Sequence, residues 1–342
     1  MELKQSGFQA FTAIEGSSGV DTSPKLFELY VAPGFNDYEL TAITQTLSVA
    51  NDIIGQQTFD WRFVSQTAGL VTSANGVLVR TEPMFETQNL CDLLVVVGGK
   101  AAADPGWLRR ARAMQRAKRP VVLLSDAATG HIRRTKTPMG RVTTHWRDAA
   151  TLAETGSYPK LTTRLSEKSD GIITAAGAGA TSELIIGLLA QFLEAPQVAE
   201  LGNQLLLHTI RKSDAEQPKD IADNEGLFDA HVTQAIRLME ASLDDPISMG
   251  ELTQHIGVST RHLERAFRKI FDDTPAKFYK RLRTKRARVM IEETLLPLVE
   301  VAVVTGFGSS YAMARAVKET YGLTPTKMRL RENIKLLSFE EA

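Results

Sequence analysis

The sequence predicts an α/β domain built on a parallel sheet, followed by an all-α domain made of two helix–turn–helix units. Three observations predict it. Residues 25–210 alternate short, nearly continuous apolar runs with amphipathic stretches, the pattern of a parallel sheet covered on both faces. Residues 227–335 place apolar side chains at helical spacing throughout, as with Phe228, Val232, Ile236 and Met239. Within that segment one sequence unit occurs twice, at an offset of 49 to 50 residues.

The 342 residues can build two or three domains, each with its own core. A content of 43% hydrophobic and 23% charged residues places the chain among ordinary globular proteins rather than disordered ones. The single cysteine, Cys91, excludes an intramolecular disulfide framework and fits a reducing compartment. Glu2 and Lys4 interrupt the N-terminus, which lacks the apolar core of a secretory signal. The apolar runs 93–97 and 184–193 are too short to span a bilayer. A cytoplasmic protein is expected, with no membrane partner.

Taken in order, residues 1–24 contain Gly16-Ser17-Ser18-Gly19 and no periodicity, and read as a flexible tail. Strands are predicted at 26–32, 61–65, 93–97, 121–124, 142–144 and 172–175, with helices at 40–54, 107–117 and 182–193. In such sheets ligands sit beyond the carboxyl ends of the strands. That places Pro33-Gly34-Phe35, Gly98-Gly99, Ser125-Asp126, His145-Trp146 and residues 177–181 along one edge. Residues 211–226, polar with one proline, read as a linker. Residues 227–335 form the helical domain, and 336–342 a second tail.

Net charge is zero, from 40 basic and 40 acidic residues, but its distribution is uneven. Residues 227–335 hold 18 Lys and Arg against 13 Asp and Glu. Within 261–288 the ratio is 11 to 3, a concentration suited to a phosphate backbone.

The first copy of the repeat has a short helix at 249–256, the turn Gly257-Val258-Ser259 and a second helix at 260–271. Ser259 is placed to cap that helix, and glycine relieves the tight turn. Leu252, Ile256, Val258, Leu263 and Phe267 lock the pair. The exposed side of the second helix then carries Arg261, Glu264, Arg265 and Arg268. Such a helix fits a major groove, where arginine takes guanine O6 and N7 together. The second copy has residues 301–304, the turn Gly306-Phe307-Gly308, and a helix to Tyr321 that exposes Ser310, Tyr311, Ala314, Arg315 and Lys318. The helix between the copies, 275–293, carries Lys277, Lys280, Arg281, Arg283, Lys285, Arg286 and Arg288, assigned to phosphate contact or solvation. A plain helical bundle with a solvated basic face is the competing reading. Two copies with matched glycines, caps and basic second helices stand against it.

The stretches ISMGELTQHIGVSTRHLERAFRKIFDDTPAKFYKRLRTKRARVMI and LVEVAVVTGFGSSYAMARAVKETYGLTP resemble the DNA-binding domain of the AraC/XylS family over residues 228–330. The resemblance implies two recognition helices in successive major grooves, with base contacts from Arg261, Glu264, Arg265, Ser310, Tyr311, Ala312, Ala314 and Arg315. The second helix departs from the family pattern at Ala312, Met313 and Val317, so readout is expected to rest on the first helix. A double-stranded DNA operator, a homodimer, and RNA polymerase as the partner of an activator are implied. The segments 181–193 and 198–210 are apolar enough for the dimer contact.

VAPGFNDYELTA, WRFVSQTAG, LLVVVGG, GRVTTHW and ITAAGAGATSELIIGLLAQ resemble the PfpI-like, class I glutamine-amidotransferase-like domain of GlxA-type AraC regulators. That implies a flavodoxin-like sheet. Enzymes of the superfamily use a cysteine on a sharp turn after a central strand, activated by its neighbours. Here that turn reads VVLLSDAATG, with Ser125-Asp126 in the cysteine's place, and Cys91 precedes another strand. Asp126 is the nearest base in sequence and His145 the one histidine expected nearby, so no catalytic residue, cofactor or metal is expected. A hydrolase with Ser125 as nucleophile, tethered to DNA, is the alternative.

The resemblance implies instead a sensor of a small nitrogenous metabolite, of the amino-acid or quaternary-amine class. Asp126, Glu39 and Glu183 would face its cationic group, Phe35 and Trp146 would wall it, and Gly98, Gly99, Ser125 and His145 would complete the pocket. Each has a plainer reading: Glu39 as a solvated helix residue, Trp146 as core, Glu183 as a first-turn carboxylate favoured by the dipole. Residues 177–180 would either let a helix N-terminus approach an anion or serve close packing, the favoured reading.

Overall fold

The structure, a computed structural model, describes residues 23–84, 89–103, 105–136, 138–223 and 228–331. The expected C-terminal tail and nearly all of the N-terminal one lie outside the described residues. Contacts divide the chain into two units, residues 1–217 and 218–342.

The first unit runs β1 (Lys25–Tyr30), α1 (Asp37–Ile54), β2 (Phe59–Ser65), β3 (Gly69–Thr72), β4 (Leu78–Pro83), β5 (Leu93–Val96), α2 (Leu108–Arg116), β6 (Val121–Leu124) and α3 (Ser125–Thr135). It continues β7 (Val142–Thr143), α4 (Trp146–Thr155), β8 (Leu161–Thr162), β9 (Ser166–Ser169), β10 (Ile172–Ala175), α5 (Thr181–Leu189) and α6 (Ala195–Gln204). Eight strands form one sheet in the order β3-β4-β2-β1-β5-β6-β10-β9. The pairings from β4 through β10 are parallel, and β3 and β9 close the edges antiparallel. Strands β5, β6 and β10 are buried along their whole length, as a sheet covered on both faces requires. Phe27, Leu29, Leu93 and Val95 meet residues of α1 and α5 on one face. Tyr30, Leu94, Val96, Trp107 and Met114 pack on the other.

Several features differ from expectation. Residues 142–143 pair with β8 in a separate two-stranded sheet rather than joining the main one. The β3–β4 hairpin was not expected, because it is half solvated, with Leu70 and Leu78 exposed, and lacks a continuous apolar run.

A buried ion cluster crosses the second face. Glu28 is fully buried; Arg110 donates to it through Nε at 2.9 Å and Nη2 at 2.5 Å, and Arg62 also pairs with it. Burial alone would raise the Glu28 carboxyl, but the two guanidinium groups outweigh it and hold the pKa below its ordinary value.

The second unit contains α7 (Ala230–Ala241), α8 (Met249–Ile256), α9 (Thr260–Phe271), α10 (Pro275–Glu293), α11 (Leu298–Val304) and α12 (Ser310–Tyr321). It has two cores. Val232, Ile236, Leu252, Leu263, Phe267 and Phe278 make the first, and Met290, Val301, Phe307, Met313 and Val317 the second. Helix α10 supplies both.

The expected linker, 211–226, is largely folded. Ser213 and Ala215 carbonyls accept from the N–H groups of Ser166 and Leu165. The buried Gln217 side chain donates to the carbonyls of Thr144 and Arg164 and accepts from Trp146 N–H. On the other side, Ile221 N–H donates to Glu240 Oε1 at 2.8 Å, and Ala222 is buried in the first core of the second unit. Polar composition misled because these side chains spend their polarity on backbone partners rather than on water. Among the described residues no helix is long and apolar enough to cross a membrane.

Candidate functional site

The two helix–turn–helix units are built by local chemistry. Ser248 and Glu251 form a reciprocal cap on α8. Gly257 ends it with φ +74°, and Ser259 caps α9 by accepting from His262 N–H at 3.2 Å. The second copy repeats the device, with Ser309 accepting from Ala312 N–H at 3.2 Å. Leu263 and Phe267 turn inward, which leaves Arg261, Arg265 and Arg268 exposed and Glu264 half-buried. None of these four charged groups has an ion-pair or hydrogen-bond partner among the described residues.

In α12, Tyr311 and Lys318 are exposed, while Ser310 and Ala314 are half-buried. Arg315 is tethered to Glu319 at 3.4 Å. Met313 and Val317 lie wholly in the second core, which gives a packing reason for the family departures at those positions.

Helix α10 corrects one assignment. Arg283 does not face phosphate or solvent. Its Nη1 donates to the Gly306 carbonyl at 2.9 Å, and its guanidinium lies 5.3 Å from the ring centroids of both Tyr279 and Phe307. Gly306 has φ +69°, and a Cβ there would strike the Leu243 carbonyl and Pro246. Arg283 thus fastens the turn of the second helix–turn–helix copy to α10, beside Tyr279 of the first copy's core. Arg288 is likewise occupied, by Glu292 at 2.9 Å and by the Tyr321 ring.

In the first unit, Ser125 stands where β6 turns into α3, with φ +36°, a region that side chains rarely adopt. Its hydroxyl donates to Glu39 Oε1 at 2.7 Å. The same carboxylate accepts the N–H of Gly98 at 2.7 Å and of Ala178 at 2.8 Å. Glu39 therefore clasps three strand-end loops. A Cβ at Gly98 or Gly177 would collide with the clasp. Burial is the largest influence on Glu39 and pushes its pKa up, against the pull of these three donors. Asp126 accepts from Gly99 N–H at 3.0 Å.

Sequence reasoning named Glu39, Gly98, Gly99, Ser125 and Asp126, and the structure brings them together. It changes their roles. The side chain beside the Ser125 hydroxyl is the Glu39 carboxylate, rather than Asp126 or the His145 imidazole. Glu39 is spent on protein donors and is not free for a ligand cation. Phe35 is buried in the core rather than walling a pocket. His145 Nδ1 accepts from Arg147 N–H at 3.2 Å and so caps α4. Burial, then Arg147, pushes its pKa down. Trp146 is half-buried, with the His145 ring at 5.5 Å and the Arg147 guanidinium at 5.9 Å.

Glu183 lies elsewhere, bound by Arg211 through its backbone N–H at 3.0 Å and through Nε at 2.9 Å. This pair borders a cavity of about 220 Å³ between α5 and α6, lined by Leu184, Gly187, Val198, Ile210 and Lys212. Arg211 was missed because it fell in the supposed linker.

Known families match parts of the chain. Residues 27–191 match the DJ-1/PfpI family and residues 252–331 match a helix-turn-helix domain model. The HTH-type transcriptional regulator CdhR of Pseudomonas aeruginosa is 31% identical over 315 residues, covering 89% of this chain and 91% of that protein. GbdR of the same species, also an HTH-type transcriptional regulator, is 23% identical over 90% of this chain and 84% of its own length. A crystal structure of an AraC family transcriptional regulator from Pseudomonas putida aligns with a TM-score of 0.44 at 19% identity, over 53% of this chain and all of that one. The chain belongs to the AraC-type helix-turn-helix transcription regulators that carry an N-terminal DJ-1/PfpI domain.

Proposed function

We propose that the protein is a sequence-specific, ligand-responsive activator that binds a double-stranded operator as a cytoplasmic homodimer and engages RNA polymerase there. The observation that carries the DNA reading is the cap-fixed α9 face, whose Arg261, Arg265 and Arg268 are exposed and have no ion-pair partner among the described residues. The effector is a small nitrogenous metabolite of the amino-acid or quaternary-amine class. The cavity beside Arg211 and Lys212 supports a site for the carboxylate form of such a molecule, with its short apolar part against Leu184 and Val198. Ligand contact there reaches the segment 210–213, which leads into Gln217 and the second unit, so a ligand that favours one arrangement of this segment shifts the regulator.

The test is selection of bound duplexes from a random pool by the full chain. A defined site with two boxes about one helical turn apart is the expected result. Recovery of sequence-independent, salt-sensitive binding alone would overturn it.

A second reading keeps one observation in its favour. The Ser125 hydroxyl, on a strained turn, is 2.7 Å from a carboxylate whose pKa is raised, an arrangement that serves a nucleophile and its base. Labelling of Ser125 by a fluorophosphonate, abolished in Ser125→Ala, would establish a hydrolase; an unlabelled protein leaves the Glu39 clasp as structure.

A further inference from the structure

A second basic stretch of the chain lies outside the helix–turn–helix domain. Residues 109–141 contain ten Lys and Arg and one acid, Asp126. Elsewhere in residues 1–217 acids outnumber bases, 21 to 11. The excess charge sits on adjacent helices. Arg109, Arg112 and Arg116 are exposed on α2, while Arg133, Arg134 and Lys136 are exposed at the end of α3. The two helices share a groove of about 320 Å³ whose walls include Arg112, Arg134 and His131.

Only part of this charge is engaged: Arg134 donates to the Ala103 carbonyl and lies over the Trp107 ring. Arg112, Arg116 and Arg133 have no ion-pair partner among the described residues. Asp126 is turned away to Gly99, and Asp92 reaches Arg119 only at 3.9 Å. Among the described residues Asp170 is the one acid that lines the groove. Like charges three and four apart on a helix cost stability, and Arg109, Arg112 and Arg116 follow that spacing. Burial, then the neighbouring Arg134, pushes the His131 imidazole down to about 4. A surface that bears this repulsion in the isolated chain is matched to a partner of dense negative charge.

We propose that the α2–α3 face is a second DNA-contact surface, taking phosphates of the duplex that flanks the operator. It rests on the reading of the chain as a DNA-binding regulator. Helices α9 and α12 read base edges, whereas this face has no rigid capped helix end aimed outward and supplies charge alone. Its contacts are independent of sequence and lost with salt, since each phosphate neutralised releases counterions. The acidic remainder of the first unit is repelled by the same duplex, which orients the unit.

The test uses the full chain and two duplexes. One ends at the edges of the selected operator, and the other extends about twenty base pairs beyond each edge. Affinity is measured across salt concentrations for the wild type and for Arg112→Gln/Arg116→Gln/Arg133→Gln. These side chains are exposed and belong to no core. The wild type should show a steeper salt dependence on the long duplex. The triple variant should lower that slope by about two to three, with roughly tenfold weaker binding, and match the wild type on the short duplex. Equal slopes for both proteins on the long duplex would overturn the proposal. So would a variant that loses transcription activation with unchanged DNA binding, which would assign the face to an acidic protein partner. Failure of the underlying reading is distinguishable, because then no operator is selected at all.

Discussion

The hydroxyl of Ser125 and the carboxylate of Glu39 meet at 2.7 Å across 86 residues of sequence. That carboxylate also receives two backbone N–H groups, from Gly98 and Ala178, so one side chain ties together three loops at the strand ends, where ligands of such sheets commonly sit.

A glutamine at position 39 offers one acceptor and one donor to a shell of donors. Whichever way the amide turns, its NH2 faces a backbone N–H. Glu39→Gln should therefore cost about 1–3 kcal/mol of unfolding free energy, the range for a buried polar group left unsatisfied. Ser125→Ala removes a single bond and should cost about 0.5–1.5 kcal/mol, with operator affinity unchanged. Urea titrations of the two variants compare these values; a larger loss for Ser125→Ala would contradict the clasp.

Glu28 gives a pH signature. Its folded pKa is depressed by Arg110 and Arg62, so its contribution is present above the ordinary carboxylate pKa and is lost as pH falls through the folded value. Glu28→Gln should destabilise the first unit by roughly 3–5 kcal/mol at neutral pH, as expected for a broken buried pair. The gap between variant and wild type should narrow in acid. A gap independent of pH would mean that packing, not charge, holds the cluster.

Gly187 lies inside α5, and a Cβ there would meet nothing within 4 Å. Gly187→Leu should fill the cavity and raise stability by about 0.5–1 kcal/mol through helix propensity. Thermal melts and inducer response in a reporter strain read the two effects. A stabilised variant with full inducer response would remove the cavity from consideration as the sensing site.

Arg261→Ala and Arg265→Ala should each weaken binding to the selected operator by about 1–3 kcal/mol and relax base preference at one position. Competition against single-base operator variants checks this. Uniform weakening on all sequences would show phosphate contact instead.

Removing the Arg283 clamp should loosen the relation between the two reading heads. Arg283→Met keeps the aliphatic contacts with Tyr279 and Phe307 and deletes the bond to Gly306. Binding should fall about tenfold on the natural spacing, since a bond from a charged donor contributes roughly 1.5–3 kcal/mol and only part of that concerns alignment. On operators with one base pair inserted between boxes, the variant should lose less than the wild type. Identical spacing profiles would show that α10 alone fixes the geometry.

The central strands and both recognition helices were legible because their signals are local. β5 and β6 are unbroken apolar runs, and α8, α9, α10 and α12 carry their own side-chain caps. The site in the first unit was legible by position only. Strand ends named Gly98 and Ser125, but the partner of Ser125 comes from a helix 86 residues away, and nothing in its spacing points there. Arg283 was misassigned because an arginine in a basic run looks solvated until a facing carbonyl and two rings are in place. The basic α2–α3 face was present in the sequence but divided between two helices with a buried strand between them.

The folding of residues 211–217 and 221–223 into their units shortens the connection. Between the anchored Gln217 and the packed Ile221 only Pro218, Lys219 and Asp220 remain, and Asp223 accepts the backbone N–H of the latter two at 3.0 Å. The connection is thus a three-residue segment with its own backbone partners, one residue of it with φ fixed by a proline ring, where composition alone drew a sixteen-residue coil.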